Sequence, residues 1–120
     1  MAVRAIRGAT QLDVDEREHL LASTRELVSA VLRANGLSSE QLISIVFTVT
    51  ADLRSEFPAV AARELGMGDV PLLCTVEIDV PGALPRVVRL MAHAEMDVPR
   101  SDVQHVYLRG ATALRLDIAQ

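Results

Sequence analysis

Three ionisable residues interrupt otherwise apolar, strand-like runs. Arg7 ends an alternating N-terminal segment, Glu77 follows Leu72-Leu73-Cys74-Thr75-Val76, and Arg89 is embedded in Val87-Val88-Arg89-Leu90-Met91. A charge in a buried strand is costly unless it is paired or used. Two arginines and one carboxylate brought together would suit a small dianion, because a guanidinium grips carboxylates through planar two-point hydrogen bonds. The same alternation fits a half-exposed sheet that turns these charges to solvent, so both readings stand. Other chemistry is thinly represented. His19, His93 and His105 are scattered and read as surface or packing residues, with no Ser/His/Asp order and no metal-ligand cluster. Cys74 is the one cysteine, which excludes an internal disulfide and a Cys-based zinc site. A lone strand cysteine is more often a small hydrophobe than a nucleophile. Gly66-Met67-Gly68 lacks the G-x-G-x-x-G pattern and reads as a helix stop.

The elements that must carry these residues are readable from periodicity. Residues 2–8 alternate as a strand that Gly8 would end. Asp15 is placed to cap a long helix over about 15–34, with Glu16 and Glu18 in its positive first turn. Leu20, Thr24, Leu27, Val28, Val31 and Leu32 make its apolar stripe, and Asn35-Gly36 a left-handed stop. Ser38 to Gln41 resembles a short capped turn. Ile43–Thr50 is β-branched and nearly continuous, as in a buried strand. Pro58–Leu65 suits a short helix stopped by Gly66. Val70–Val80, Arg86–Ala94 and Val103–Leu108 read as further strands, and Ala111–Leu116 as a sixth or a continuation of the fifth. The fold class is α+β: a mixed five- to six-stranded sheet packed against one long and one short helix.

Composition narrows the partners. The 120 residues make one domain, so 1–120 is expected to be a single unit. Half the residues are hydrophobic and mean hydropathy is +0.27. That is rich for a small monomer and points to a face buried between subunits. Net charge is −4, and all 12 basic residues are arginine. Such a domain offers no basic field for nucleic acid or anionic lipid, and three aromatics are too few for a base-stacking platform. No stretch approaches the roughly 18 apolar residues of a membrane span. The start is charged within seven residues and lacks a signal-peptide core. A cytoplasmic protein is expected.

A set of short motifs then appears in order. They are Ile6-Arg7-Gly8-Ala9-Thr10, Thr50-Ala51-Asp52-Leu53, Phe57-Pro58-Ala59, Arg63-Glu64-Leu65, Val70-Pro71, Cys74 and Glu77-Ile78-Asp79-Val80. Arg89, Asp97-Val98-Pro99 and His105-Val106-Tyr107-Leu108 follow. Each is weak alone, but their order and spacing over about residues 3–117 strongly resemble the monofunctional chorismate mutases of the trimeric α/β type. The resemblance implies a homotrimer forming a pseudo α/β barrel, with sites in clefts between subunits. It implies conversion of chorismate to prephenate, on the route to phenylalanine and tyrosine, with no cofactor and no metal.

The resemblance also implies roles. Arg7 matches the arginine that binds a substrate carboxylate, Glu77 the carboxylate that accepts the ring hydroxyl, and Arg89 the cation at the ether oxygen. Tyr107 matches a tyrosine bonded to a carboxylate. Phe57, Ala59, Arg63, Leu73, Cys74, Thr75 and Arg115 match positions lining the site, several from the neighbouring chain. Two features depart from the family. A cation often stands three residues after the matching phenylalanine, where this chain has Val60, so one rim contact to a carboxylate is expected to be missing. The chain ends at Gln120, so a shorter tail is expected over the site. Two other readings share the architecture: an imine deaminase, whose signature motifs are not apparent, and a non-catalytic trimeric metabolite-binding protein.

Overall fold

The computed structural model describes residues 2–117, and side chains as far as 114. The element order is β1 (Val3–Gln11), α1 (Arg17–Ala34), a 3₁₀ turn (Ser39–Gln41), β2 (Leu42–Val49), α2 (Pro58–Glu64), β3 (Leu72–Val76), β4 (Val87–Glu95), a 3₁₀ turn (Arg100–Asp102), β5 (Val106–Leu108) and a 3₁₀ helix (Arg109–Asp117). The five strands form one mixed sheet in the order β3-β2-β4-β1-β5. β4 lies at its centre, antiparallel to β1 and β2, while β3 and β5 add in parallel at the edges.

Strand alternation sorts the two faces. Ile6 of β1, Ile45 and Phe47 of β2, and Val88, Leu90, Ala92 and Ala94 of β4 are buried together beneath the helices. The stripe of α1 (Leu20, Leu21, Thr24, Leu27, Val28, Val31) supplies the other half of this core. The opposite face carries Arg7, Arg89, Met91, Tyr107, Thr48 and Thr75, and is covered only in part. There Ala9, Val87 and Ala111 are buried in a small second cluster, joined by Tyr107 and Leu114.

Several sequence expectations change. Gly8 does not end β1; the strand runs through it to Gln11. A Cβ at Gly8 would lie 3.1–3.3 Å from side-chain atoms of Val31, Leu27 and Leu90. The residue is there because α1 crosses the sheet closely. Gly8→Val should therefore overpack this crossing and cost about 1–3 kcal/mol, visible as a lowered Tm in a thermal melt. Asp15 does not cap α1. Glu16 does, its carboxylate accepting from the Glu18 and His19 N–H groups, while Asp15 accepts from those of Arg54 and Ser55 at 3.0 and 3.1 Å. Asp15 thus ties the loop before α2 to the start of α1.

The third strand is shorter than its apolar run. It stops at Val76 because its partner β2 stops at Val49, and one last rung joins the Glu77 N–H to the Val49 carbonyl at 2.8 Å. Ile78 and Val80 are left 84% and 55% exposed. The expected sixth strand is instead the C-terminal 3₁₀ helix. Its entry is turned by Arg109 at a positive φ of 53°, and Ala111 packs back on Ala9 and Val87. The fifth strand keeps only Val106–Leu108, the residues that find partners on β1. Among the described residues the sheet therefore has five strands.

Candidate active site

One row of residues crosses all five strands on the open face. In register, Thr75 of β3 pairs with Thr48 of β2, Thr48 with Arg89 of β4, Arg89 with Ala9 of β1, and Ala9 with Tyr107 of β5. Ala9 is the small member, and it leaves room between the Arg89 and Tyr107 side chains. Arg7 stands two residues before Ala9, and Glu77 two residues after Thr75, so both share this face. Arg7, Glu77, Arg89 and Tyr107 line one cavity of about 170 Å³. Glu77 and Arg89 also wall an adjoining cavity of about 520 Å³, closed by the loop before β4 and by Ala113 and Leu114. Of the two sequence readings for the charged strand residues, the structure supports the shared pocket.

The electrostatics follow from the partners. Among the described residues, two guanidinium groups line the cavity with one carboxylate. Arg89 Nε lies 3.8 Å from Glu77 Oε1, an ion-pair distance too long for a hydrogen bond. Neither residue is sealed in: their side chains are 37% and 29% exposed. Glu77 is held by Thr48, whose hydroxyl donates to Oε1 at 2.5 Å. The pair therefore stands as a positioned carboxylate beside a cation whose donors are not consumed by it. Such a site can hold a small dianion and stabilise an oxygen that gains negative charge.

Thr48 carried no signal in the sequence, where it is one more β-branched residue in a strand. Thr48→Val keeps the shape and removes the donor. We expect the fold to survive and kcat/KM to fall about tenfold, the loss of one hydrogen bond to a charged group. An unchanged kcat/KM in steady-state kinetics would show that Glu77 needs no support. His105 was read as a surface or packing residue. Its Nδ1 accepts from the backbone N–H of Arg7 at 2.9 Å.

None of the other sequence-identified residues with a described side chain lines the Arg7 cavity. Phe57, Cys74 and Thr75 line a separate cavity of about 370 Å³ between β3 and the start of α2. It shares no lining residue with the Arg7 cavity. Phe57 is 67% exposed and Leu73 61% exposed, and Arg63 is exposed on α2. Ala59 is turned inward, 4% exposed, and Val60 is half-buried against the core. The side chain of Arg115 lies outside the described residues. The two cavities abut at β3: Thr75 lines the second and is in register with Thr48, which lines the first. Among the described residues, no group of three or more His, Cys, Asp or Glu side chains is placed to hold a metal ion. No helix among them is long and apolar enough to cross a membrane.

Comparison with known proteins gives consistent findings. Residues 3–118 match the family described as chorismate mutase type I. The chain is 51% identical over 117 residues to chorismate mutase AroH of Thermus thermophilus, spanning 97% of this chain and 96% of that protein. It is 38% identical over 120 residues to chorismate mutase AroH of Bacillus subtilis, spanning 99% and 94%. Among solved structures, a chorismate mutase from Clostridium thermocellum superposes with a TM-score of 0.90 at 44% identity, covering 91% of this chain and 97% of that one.

Proposed function

Because this chain belongs to the chorismate mutase type I family, we propose that it converts chorismate to prephenate on the open face of its sheet. The enzyme is an isomerase of aromatic amino acid biosynthesis. One observation carries the placement of the site: Arg7, Glu77, Arg89 and Tyr107, from four different strands or strand ends, wall a single cavity.

The reaction is an intramolecular Claisen rearrangement, which breaks a C–O bond and forms a C–C bond within one molecule. It needs no nucleophile and no proton relay. The protein must hold the substrate in a compact, chair-like conformer. Arg7 and Tyr107 hold the carboxylates. Glu77 takes the ring hydroxyl and faces the ring as it becomes electron-poor. Arg89 stands at the ether oxygen, where negative charge grows as the bond breaks. A fixed guanidinium there stabilises the transition state more than the ground state. Cys74 attacks nothing, since a pericyclic step has no acyl centre.

Several residues of the second group complete a neighbour's site. Phe57, Ala59, Arg63, Leu73, Cys74, Thr75 and Arg115 are assigned to the lining of that shared cleft. Support comes from the apolar surface left open around β3: Val76 is 62% exposed, and Ile78 and Val80 extend it. An uncovered apolar edge strand invites association. We expect a homotrimer, three times the 13.0 kDa chain, in sedimentation equilibrium. A stable, active monomer would remove the shared-site assignment. The activity itself is tested by following the loss of chorismate absorbance without added cofactor. Prephenate should form mole for mole. Turnover that releases ammonia from an imine instead, or binding without turnover, would replace this reading.

A further inference from the structure

Thr50-Ala51-Asp52, just past the end of β2, catches the first residues of β4. The Thr50 N–H donates to the Val87 carbonyl at 3.1 Å, and the Val87 N–H donates back to the Thr50 hydroxyl at 3.0 Å. That hydroxyl donates in turn to Asp52 Oδ1 at 2.5 Å. The Asp52 carboxylate also takes the Arg86 N–H, at 3.0 Å to Oδ2 and 3.2 Å to Oδ1. Arg86 stands in the left-handed region, at a φ of 53°, which a residue bearing a Cβ rarely adopts. The end of β1 grips it from the other side. Arg86 Nε donates to the Leu12 carbonyl at 2.9 Å, the Leu12 N–H to the Arg86 carbonyl at 2.7 Å, and Gln11 Nε2 to the Pro85 carbonyl at 2.9 Å.

We propose that Asp52 is a positioning residue for Arg89: it fixes the left-handed entry into β4 and so sets where the Arg89 guanidinium stands against Glu77. This deepens, and rests on, the reading of Arg89 as the cation at the ether oxygen. Arg89 is three residues beyond Arg86, and its partner in register is Thr48, two residues before Thr50. Glu77 hangs on the same strand end. Its N–H donates to the Val49 carbonyl, and the Thr48 hydroxyl holds its carboxylate. The end of β2 thus fixes the cation and the carboxylate together.

The chemistry suits a carboxylate. Its two oxygens let one short side chain take the Arg86 N–H and the Thr50 hydroxyl at once. Without it, water satisfies the Arg86 N–H, and nothing from β2 holds the unfavourable backbone conformation there. Asp52 lines neither of the two cavities that Arg89 walls, so its effect on the site runs through the backbone of β4.

The test is a double-mutant cycle in steady-state kinetics with Asp52→Ala, Arg89→Ala and the double variant, each first shown by circular dichroism to be folded at the assay temperature. Asp52→Ala should lower kcat about tenfold, the loss of one hydrogen bond to a charged group, with KM within about twofold. Asp52→Asn keeps an oxygen for the Arg86 N–H and should recover most of that loss. In the Arg89→Ala background, Asp52→Ala should change kcat by less than about twofold, because the group it positions is gone. A further tenfold loss in the double variant, or wild-type kcat in Asp52→Ala, overturns the proposal. If Asp52→Ala does not fold, Thr50→Val carries the same cycle with the same expected outcomes. It keeps the shape and removes the hydroxyl shared by Asp52 and the Val87 N–H. Nitrogen-15 NMR of the ligand-free enzyme adds a readout that does not depend on turnover. The Arg89 Nε–H resonance should move in Asp52→Ala, and an unmoved resonance overturns the proposal. If Arg89→Ala keeps wild-type kcat while that resonance moves, it is the assignment of Arg89 to the ether oxygen that fails, not the link to Asp52.

Discussion

Arg89→Ala should lower kcat by at least about 10³-fold while KM changes little. Removing a donor aimed at developing charge costs about 3–4 kcal/mol, or 10²–10³ in rate, and this variant also removes the charge. Arg89 occupies the middle of the row that crosses the sheet, on the central strand, flanked by Thr48 and Ala9. Its Glu77 partner stands at 3.8 Å, so its donors are not absorbed by an internal fork. Arg89→Lys should recover only part of the loss, because an ammonium cannot reproduce the planar fork. Steady-state kinetics on folded variants decide it. A normal kcat with a raised KM would make Arg89 a binding residue and leave the breaking bond without its cation.

Glu77→Ala should cost about 10²-fold in kcat/KM, with most of the loss in kcat. A hydrogen bond to a charged group is worth about 1.5–3 kcal/mol, and in the proposed role of Glu77 the ring hydroxyl would lose its charged partner. The variant also strips Arg89 of its counter-charge and leaves the Thr48 hydroxyl with no acceptor from this residue. Glu77→Gln should fall between wild type and Glu77→Ala, since it keeps an acceptor and loses the charge facing the ring. Wild-type activity in the Glu77→Gln enzyme would limit the residue to holding the hydroxyl.

Much of this arrangement was legible in the chain. The stripe of α1 and the β-branched run of β2 declare their elements because burial on one face imposes a period. The same alternation put Arg89 and Met91 on one face of β4. The misreadings have local causes. Gly8 looked like a strand end because a glycine weakens a strand; it is kept because Leu27 and Val31 of a helix further along the chain press against it. Val70–Val80 looked like one strand because its apolar residues continue past Val76, though β2 ends first and the remainder faces outward. Asp15 and Glu16 are both plausible caps, and only the position of Arg54 and Ser55 decides between them. In the site, Arg7, Glu77, Arg89 and Tyr107 were identified with the help of family motifs, and their shared cavity followed from register. The bonds of Thr48 to Glu77 and of His105 to the Arg7 N–H could not be read from the chain, because the partners lie 29 and 98 residues away.

The central claim is that chorismate is rearranged in a cleft built from Arg89 of one subunit and the α2 side of another. Mixed trimers test it most directly. Arg89→Ala and Arg63→Glu chains, each poorly active alone, are refolded together in equal amounts, and prephenate formation is measured. If the two residues come from different subunits, roughly a quarter of the sites regain both intact halves, and about that share of wild-type kcat returns. If mixing returns no more than the average of the two parents, the site lies within one chain and the shared cleft is wrong.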